Sequence, residues 1–253
     1  MNDLHVVVLA GGLGKRMESS LPKVLHLIQN KPMCVHVLEN ANCLKPKTIY
    51  MIVGKYKQII KETIQKYICI ENIVFVEQES PLGTGHALLC ARWELMKQKP
   101  NDKVLVLCGD VPLLSHQTMR NMTTVPFSKV SLLTTTYENP HGYGRIIKNK
   151  DNVFQKIVEE KDCTQEQKEI KLVNGGVYCF QLDLLCRYLP EIKNENKQQE
   201  YYLTDIFELI QQNLPIQIVM IQLEEYKNYE LTGINTKKQL QQLHEKMLNC
   251  SAP

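Results

Sequence analysis

The sequence predicts an α/β protein built on a mixed, mainly parallel sheet flanked by helices. Three observations predict it. Short β-rich runs at Leu4–Ala10, Thr48–Val53, Ile73–Glu77 and Lys103–Cys108 alternate with stretches that read as helices, the pattern of βαβ units. The first run passes directly into glycines, as a buried parallel strand does when it ends in a ligand loop. After about residue 125 the runs Val130–Tyr137, Gly144–Lys148, Val153–Glu159 and Leu172–Phe180 follow one another with few helical stretches, which points to an antiparallel or mixed addition to the sheet. The class is therefore Rossmann-like.

Taken in order, the first strand ends in Leu9-Ala10-Gly11-Gly12-Leu13-Gly14-Lys15-Arg16-Met17, with Pro22-Lys23 close behind. Glycines let successive N–H groups converge on an anion, and Arg16 and Lys23 supply charge to neutralise it. We read a triphosphate loop. A dinucleotide fingerprint needs a third glycine where Met17 stands, and a P-loop needs Gly-Lys-Ser/Thr where the chain has Gly14-Lys15-Arg16. An ordinary strand-to-helix turn with solvated charges remains the competing reading. The first helix is expected over Met33–Asn42 with Pro32 in its first turn. Another is expected from Thr84, with Ala87, Leu88, Ala91 and Leu95 on one face and Trp93 as a packing residue. Leu182–Leu189 and Leu203–Gln212 read as helices around Glu191–Glu200, a polar loop with little reason to be ordered without ligand. Ile216–Leu223 reads as a late strand, and Thr236–Leu248 as a terminal helix with apolar Leu240, Leu243 and Met247.

Composition bounds the partners. With 253 residues and 43% apolar content the chain can bury a full core as one domain, or as one domain with a small lobe. Thirty basic against 27 acidic residues leave a net charge of +3, too balanced for a nucleic-acid surface, so any basic patch is local and suits a small anion. Nine cysteines without a Cys-x-x-Cys pair suit reduced thiols in a cytoplasmic protein better than a disulfide framework. Neither a secretion signal nor an apolar run near the ~20 residues of a membrane span is expected. The sequons at Asn121 and Asn249 read as chance matches.

Two further positions carry chemistry. Leu105-Val106-Leu107-Cys108-Gly109-Asp110-Val111-Pro112 is an apolar strand that delivers Asp110 to the carboxyl edge of the sheet, where the glycine loop also lies. A lone carboxylate beside a polyphosphate suits Mg²⁺, which keeps several waters and takes one or two protein oxygens plus phosphate. An N-cap role before Pro112 is the alternative. Gln78 ends another strand just before Leu82-Gly83-Thr84-Gly85-His86-Ala87. Its amide offers a donor and an acceptor side by side, matching the O4 and N3–H edge of uracil, and Gly83 allows backbone to approach a base. His86 reads as a helix residue packed near the loop rather than as a catalyst.

These motifs, together with Leu21-Pro22-Lys23-Val24-Leu25-His26, Gly109-Asp110-Val111-Pro112-Leu113, Gly142-Tyr143-Gly144-Arg145-Ile146 and Glu200-Tyr201-Tyr202-Leu203-Thr204-Asp205, resemble the uridyltransferase domain of bacterial N-acetylglucosamine-1-phosphate uridyltransferases over essentially the whole chain. The glycine motif alone is shared with other sugar nucleotidyltransferases and with methylerythritol-phosphate cytidylyltransferases; six motifs in order are specific. The resemblance implies the nucleotide-diphospho-sugar transferase fold, with a nucleotide-binding part over about 1–125, a sugar-binding part over about 126–235 and a C-terminal helix over 236–248. It also implies Arg16 and Lys23 as catalytic residues, and Leu9, Ala10, Gly11, Gly12, Gly14, Lys23, Gln78, Gly83 and Thr84 as nucleotide contacts. Asp110 and Asn235 would hold Mg²⁺, and Gly144, Glu159, Asn174 and Thr204 would contact the sugar. From spacing alone Asn235 reads as a helix cap, and Glu159, in Glu159-Glu160-Lys161-Asp162, as a solvated charge.

The implied substrates are UTP and N-acetylglucosamine 1-phosphate, with no nucleic acid, no membrane and no oligomeric state specified. A related sugar 1-phosphate, or a non-catalytic sugar-nucleotide-binding regulator, are the alternatives. Two departures bear on the sugar pocket. Cys108 stands where the bacterial enzymes have tyrosine, and Asn174-Gly175-Gly176 replaces their Asn-Thr-Gly. No hexapeptide-repeat region is expected after Asn235, so acetyl transfer would lie elsewhere.

Overall fold

Strand β1 (Leu4–Leu9) buries Val6, Val7 and Val8 completely, so both its faces lie in core and its sequence is an unbroken apolar run. The structure, a computed structural model, describes residues 2–125 and 128–250. A short hairpin follows, β2 (Leu27–Ile28) and β3 (Lys31–Pro32), joined by Gln29 and Asn30 at φ 48° and 63°, the left-handed pair a two-residue hairpin loop needs. Helix α1 (Met33–Asn42) starts just after Pro32, which lies outside the first turn at ψ 140° and serves as the cap position. Then come β4 (Thr48–Val53), α2 (Lys57–Ile64), β5 (Ile73–Glu77), α3 (Thr84–Leu95), β6 (Lys103–Cys108) and α4 (His116–Thr123). Helix α4 is capped by Ser115, whose hydroxyl accepts from Thr118 N–H at 3.2 Å.

The second part adds β7 (Val130–Thr136), β8 (Arg145–Lys148), β9 (Phe154–Val158), the one-turn α5 (Gln165–Lys168), β10 (Leu172–Gln181), α6 (Leu182–Tyr188), α7 (Asp205–Asn213), β11 (Val219–Gln222) and α8 (Lys237–Cys250). All four late runs read from the sequence are strands. Met247, assigned to the apolar face of α8, has a side chain outside the described residues.

The strands form one sheet of nine, ordered β11-β7-β10-β6-β1-β4-β5, with β8 on β10 and β9 on β8. Pairings β6-β1-β4-β5 are parallel, β10 runs antiparallel to β6, β7 and β8, and β11 returns parallel to β7. Side chains alternate between two core layers. Val7, Val104 and Val106 face one, with α3, α6 and α7; Val6, Val8, Leu105 and Leu107 face the other, with α1. A third, smaller core of Ile28, Met33, Ile234 and Leu243 fastens α8 and the segment before it to the β2–β3 hairpin. Among the described residues no helix is long and apolar enough to cross a membrane.

Two further sequence expectations are corrected. On α3, Ala87, Leu88, Ala91 and Leu95 are buried as expected, but Trp93 is 70% exposed with the Arg92 guanidinium 5.6 Å from its ring. Positions 91 and 95 already fill the buried stripe, and 93 lies on the opposite side of the helix. The segment up to Glu200 is tied down rather than loose. Asn196 donates to Glu200 O at 2.6 Å and accepts from Glu200 N–H at 3.2 Å, while Lys197 N–H reaches Asp162 Oδ1 at 3.0 Å. Polar side chains supply the order that apolar burial does not.

Candidate active site

The carboxyl ends of β1, β5 and β6 open on one side of the sheet, and the chain turns there into the loops that carry the predicted residues. After β1, Ala10 N–H still pairs with Ile52 O at 2.8 Å, and Gly14, at φ +60°, lets the chain turn so that its carbonyl accepts from Met17 N–H at 2.8 Å. A side chain at Gly14 would place its Cβ 2.7 Å from Lys23 Cβ, so the loop and Lys23 are packed against each other. Met17, fully buried, anchors the far end.

Lys23 is the hub. Its ammonium donates to Asp110 Oδ2 and, at 3.0 Å, to Asn235 Oδ1, which also accepts from the Arg16 guanidinium at 3.1 Å. Ile234 N–H donates to Asp110 O at 3.0 Å and carries Asn235 alongside. Neither Asp110 nor Asn235 caps a helix, because Ser115 caps α4 and Thr236 Oγ1 accepts from Gln239 N–H at 3.2 Å at the start of α8. Two oxygens, one carboxylate and one amide, thus converge on a single positive centre. Among the described residues no group of three or more His, Cys, Asp or Glu is placed to hold a metal, and this oxygen pair suits a cation that draws its remaining ligands from water and phosphate.

At the other end of the same cleft, Gln78 is buried, with its amide nitrogen donating to Gly83 O at 3.1 Å and to His86 Nδ1 at 3.0 Å. Both amide N–H groups are therefore consumed. The expected donor-and-acceptor edge is corrected to an acceptor alone, Oε1, which sits 2.9 Å from where a Cβ on Gly11 would lie. The Gly83 carbonyl, which can only accept, fixes that orientation, and His86 Nδ1, in α3, takes the second N–H. Gly83 has φ +116°, and a Cβ there would meet Tyr201 O at 2.5 Å, so only glycine fits. Gly85 N–H bonds Tyr201 O at 2.7 Å, and the Thr84 hydroxyl accepts from Leu203 N–H at 3.0 Å, which zips the start of α3 to the Tyr201–Leu203 segment. The cleft measures ≈ 500 Å³ and brings together Leu9, Gly11, Gly12, Gly14, Arg16, Lys23, Gln78, Gly83, Thr84 and Asn235. Ala10 is buried behind it, and Asp110 reaches it through Lys23. Sequence reasoning missed the cleft-lining Leu13, Pro81, Ala87 and Glu200; of these only Glu200, the lead residue of the Glu-Tyr-Tyr motif, carried a readable signal.

Across β6 from the loop lies a second group. Thr204, just before α7, donates its hydroxyl to Glu159 Oε1 at 2.9 Å, and Asn174 N–H donates to Gly144 O at 2.9 Å. A Cβ on Gly144 would stand 3.4 Å from Glu159 Oε2. Burial pushes the Glu159 carboxyl above its ordinary range, against the lowering effect of the Thr204 hydroxyl. Burial, reinforced by Glu159 and other carboxylates, pushes Asp205 up to about 6. The reading of Glu159 as a solvated charge is thereby corrected. Its neighbour Glu160 pairs instead with the buried Arg145 guanidinium at 2.7 Å, which also holds the carbonyls of Tyr143 and Lys168. The Cys108 thiol lies between the two groups, pushed up to about 12 mainly by burial, and so is a neutral filler. A Cβ on Gly175 would come 2.9 Å from Leu133 O and 3.1 Å from Leu231 Cδ1; a threonine there would force β10 away from β7.

Residues 5–226 match the family model described as Nucleotidyl transferase. The chain is 39% identical over 243 residues to a "Probable UDP-N-acetylglucosamine pyrophosphorylase" of Acanthamoeba polyphaga mimivirus, covering 94% of each chain. It is 37% identical over 249 residues to the "Bifunctional protein GlmU" of Gloeothece citriformis, covering 96% of this chain and 52% of that one. The chain thus spans about half the length of that relative. Among solved structures, a UDP-glucose pyrophosphorylase complexed with UDP-glucose superposes with a TM-score of 0.73 at 18% identity, covering 99% of this chain and 100% of that one, which shows the shared fold.

Proposed function

The chain belongs to the nucleotidyl transferase family, and from that premise we propose that it transfers the uridylyl group of UTP to N-acetylglucosamine 1-phosphate, releasing pyrophosphate. The observation that carries this reading is the Arg16–Asn235–Lys23–Asp110 network, set between a glycine-lined cleft and the Glu159–Asn174–Thr204 group. A binding protein needs the cleft; it does not need two cations held against two oxygen ligands between that cleft and a second polar group.

Each residue's part follows from its surroundings. The Gly11–Gly14 loop offers backbone N–H groups to the triphosphate. Arg16 and Lys23 neutralise the phosphate oxygens as two polyanions are brought together for in-line attack, a reaction governed by position and charge. No general base is required, because a sugar phosphate with a second pKa of about 6 is already an anionic nucleophile near neutral pH. Asp110 and Asn235 would hold Mg²⁺, which when bound adds charge stabilisation at the phosphates. Gln78 Oε1 accepts the N3–H of uracil and opposes the N3 lone pair of cytosine, so the orientation set by the Gly83 carbonyl, with His86 beside it, selects the base. Glu159 accepts from sugar hydroxyls, Asn174 pairs with the acetamido group, and Gly144 lets the chain approach closely. In this reading residues 1–125 form the nucleotide part, 126–235 the sugar part and 236–248 the closing helix of a cytoplasmic enzyme.

The test is pyrophosphate release from a matrix of nucleotides and sugar 1-phosphates. The expected outcome is turnover with UTP and N-acetylglucosamine 1-phosphate above every other pair. Equal turnover with CTP, or none with any sugar phosphate, overturns the reading.

A further inference from the structure

We propose that Tyr178 is a positioning residue of the sugar pocket, its hydroxyl locking the Asn174 amide in one orientation. Both residues lie on β10, four apart, a separation that in a regular strand spans about 13 Å. Here the pairing with β7 shifts register between Asn174 and Tyr178, and Gly176 sits at φ +71° inside the irregularity. This bulge brings the two side chains into contact: Asn174 Nδ2 donates to Tyr178 Oη at 2.7 Å, while Asn174 Oδ1 accepts from Gly176 N–H at 3.0 Å.

An asparagine amide is nearly symmetric in shape, so an unpinned one presents donor and acceptor interchangeably. With one N–H given to Tyr178 and one lone pair to Gly176, the remaining N–H and lone pair of Asn174 have assigned directions. Asn174 itself is tied by its main chain to Gly144, and so to the floor near Glu159. The pin is rigid. Tyr178 is buried, its ring 5.2 Å from that of Phe207 and 6.2 Å from that of Phe180, and burial holds the phenol well above its usual range, so it remains a neutral hydroxyl. A phenylalanine would fill the same core space, so the hydroxyl is what needs explaining.

The inference rests on the uridylyl-transfer reading and is tested by separating the two substrates. Tyr178→Phe keeps the ring and removes the hydroxyl's tie, leaving the amide held at Oδ1 by Gly176 N–H alone. The expected result is a rise of about tenfold in KM for N-acetylglucosamine 1-phosphate, the scale of one hydrogen bond, with KM for UTP and kcat changed by less than about twofold. In an Asn174→Ala background the same substitution is expected to change KM by less than about twofold, because the effect runs through Asn174. Tyr178→Met, which fills the space with a flexible apolar chain, is the second variant and gives the same split. KM values that stay unchanged or rise together in the active enzyme, or single effects that multiply in the double variant, overturn this inference alone. An inactive wild type with every sugar 1-phosphate overturns the parent reading as well.

Discussion

In the proposed reading, the cleft on one side of β6 and the polar group on the other solve opposite problems. The cleft would meet a polyanion, and it is built from glycines, the exposed Arg16 and the largely buried Lys23, whose counter-charge on Asp110 is ready at hand. The group across β6 would meet a neutral ring, and it is built from buried or largely buried polar residues, each already committed to a protein partner: Glu159 to Thr204, Asn174 to Tyr178 and Gly176. The difference is one of strength against direction. Charges act over several ångströms and tolerate loose placement, whereas hydrogen bonds to hydroxyls discriminate only when the protein group is held still.

Four substitutions sharpen or break that contrast. Asp110→Asn, which removes a charge from the network, is expected to cut turnover by at least about a hundredfold, measured as pyrophosphate release at saturating substrates and Mg²⁺. Full activity in that variant would show the carboxylate to be a mere partner for Lys23. Gln78→Ala is expected to lower the preference for UTP over CTP by about tenfold, the scale of one acceptor, with little change in sugar KM; unchanged discrimination would move base recognition to the backbone.

Asp205→Asn tests the neutral side through pH. The folded carboxyl holds its proton up to about 6, whereas the unfolded group releases it near the ordinary 3.8, so the native state loses stability as pH rises between those values. The variant is expected to melt higher than the parent above pH 6, by about 2–4 °C if solvent screening leaves roughly 1 kcal/mol, and to match it below pH 4. A constant difference at all pH values would refute the assignment. Smallest is Trp93→Ala: with no core contact to lose, the expected cost is under about 0.5 kcal/mol, against about 3–5 kcal/mol for a buried tryptophan, read from denaturant midpoints.

Much of the nucleotide side was legible because its signals are local. A buried strand, a glycine turn and two cations within a short stretch announce an anion loop wherever the chain later goes, and Asp110 and Gln78 announce themselves as polar groups ending apolar strands. The sugar side was not. Glu159 sits in a charged run that looks solvated, and Asn235 precedes a helix and looks like a cap; only the resemblance to a known family marked them. Trp93 failed differently, since large aromatic residues are usually packed and nothing local says that the stripe beside it is already full.

By itself, then, the sequence determined the alternation of strands and helices, the parallel core and the glycine loop, because hydrophobic period and turn chemistry are properties of neighbouring residues. Tertiary structure alone decided that Lys23 lies between Asp110 and Asn235, partners 87 and 212 positions away. It also decided that the Gly83 carbonyl and His86 consume the donors of Gln78 and that a bulge brings Tyr178 onto Asn174. Hydrogen bonds form between groups that packing brings within reach, and which groups those are is set by how the sheet is ordered and how its two core layers close.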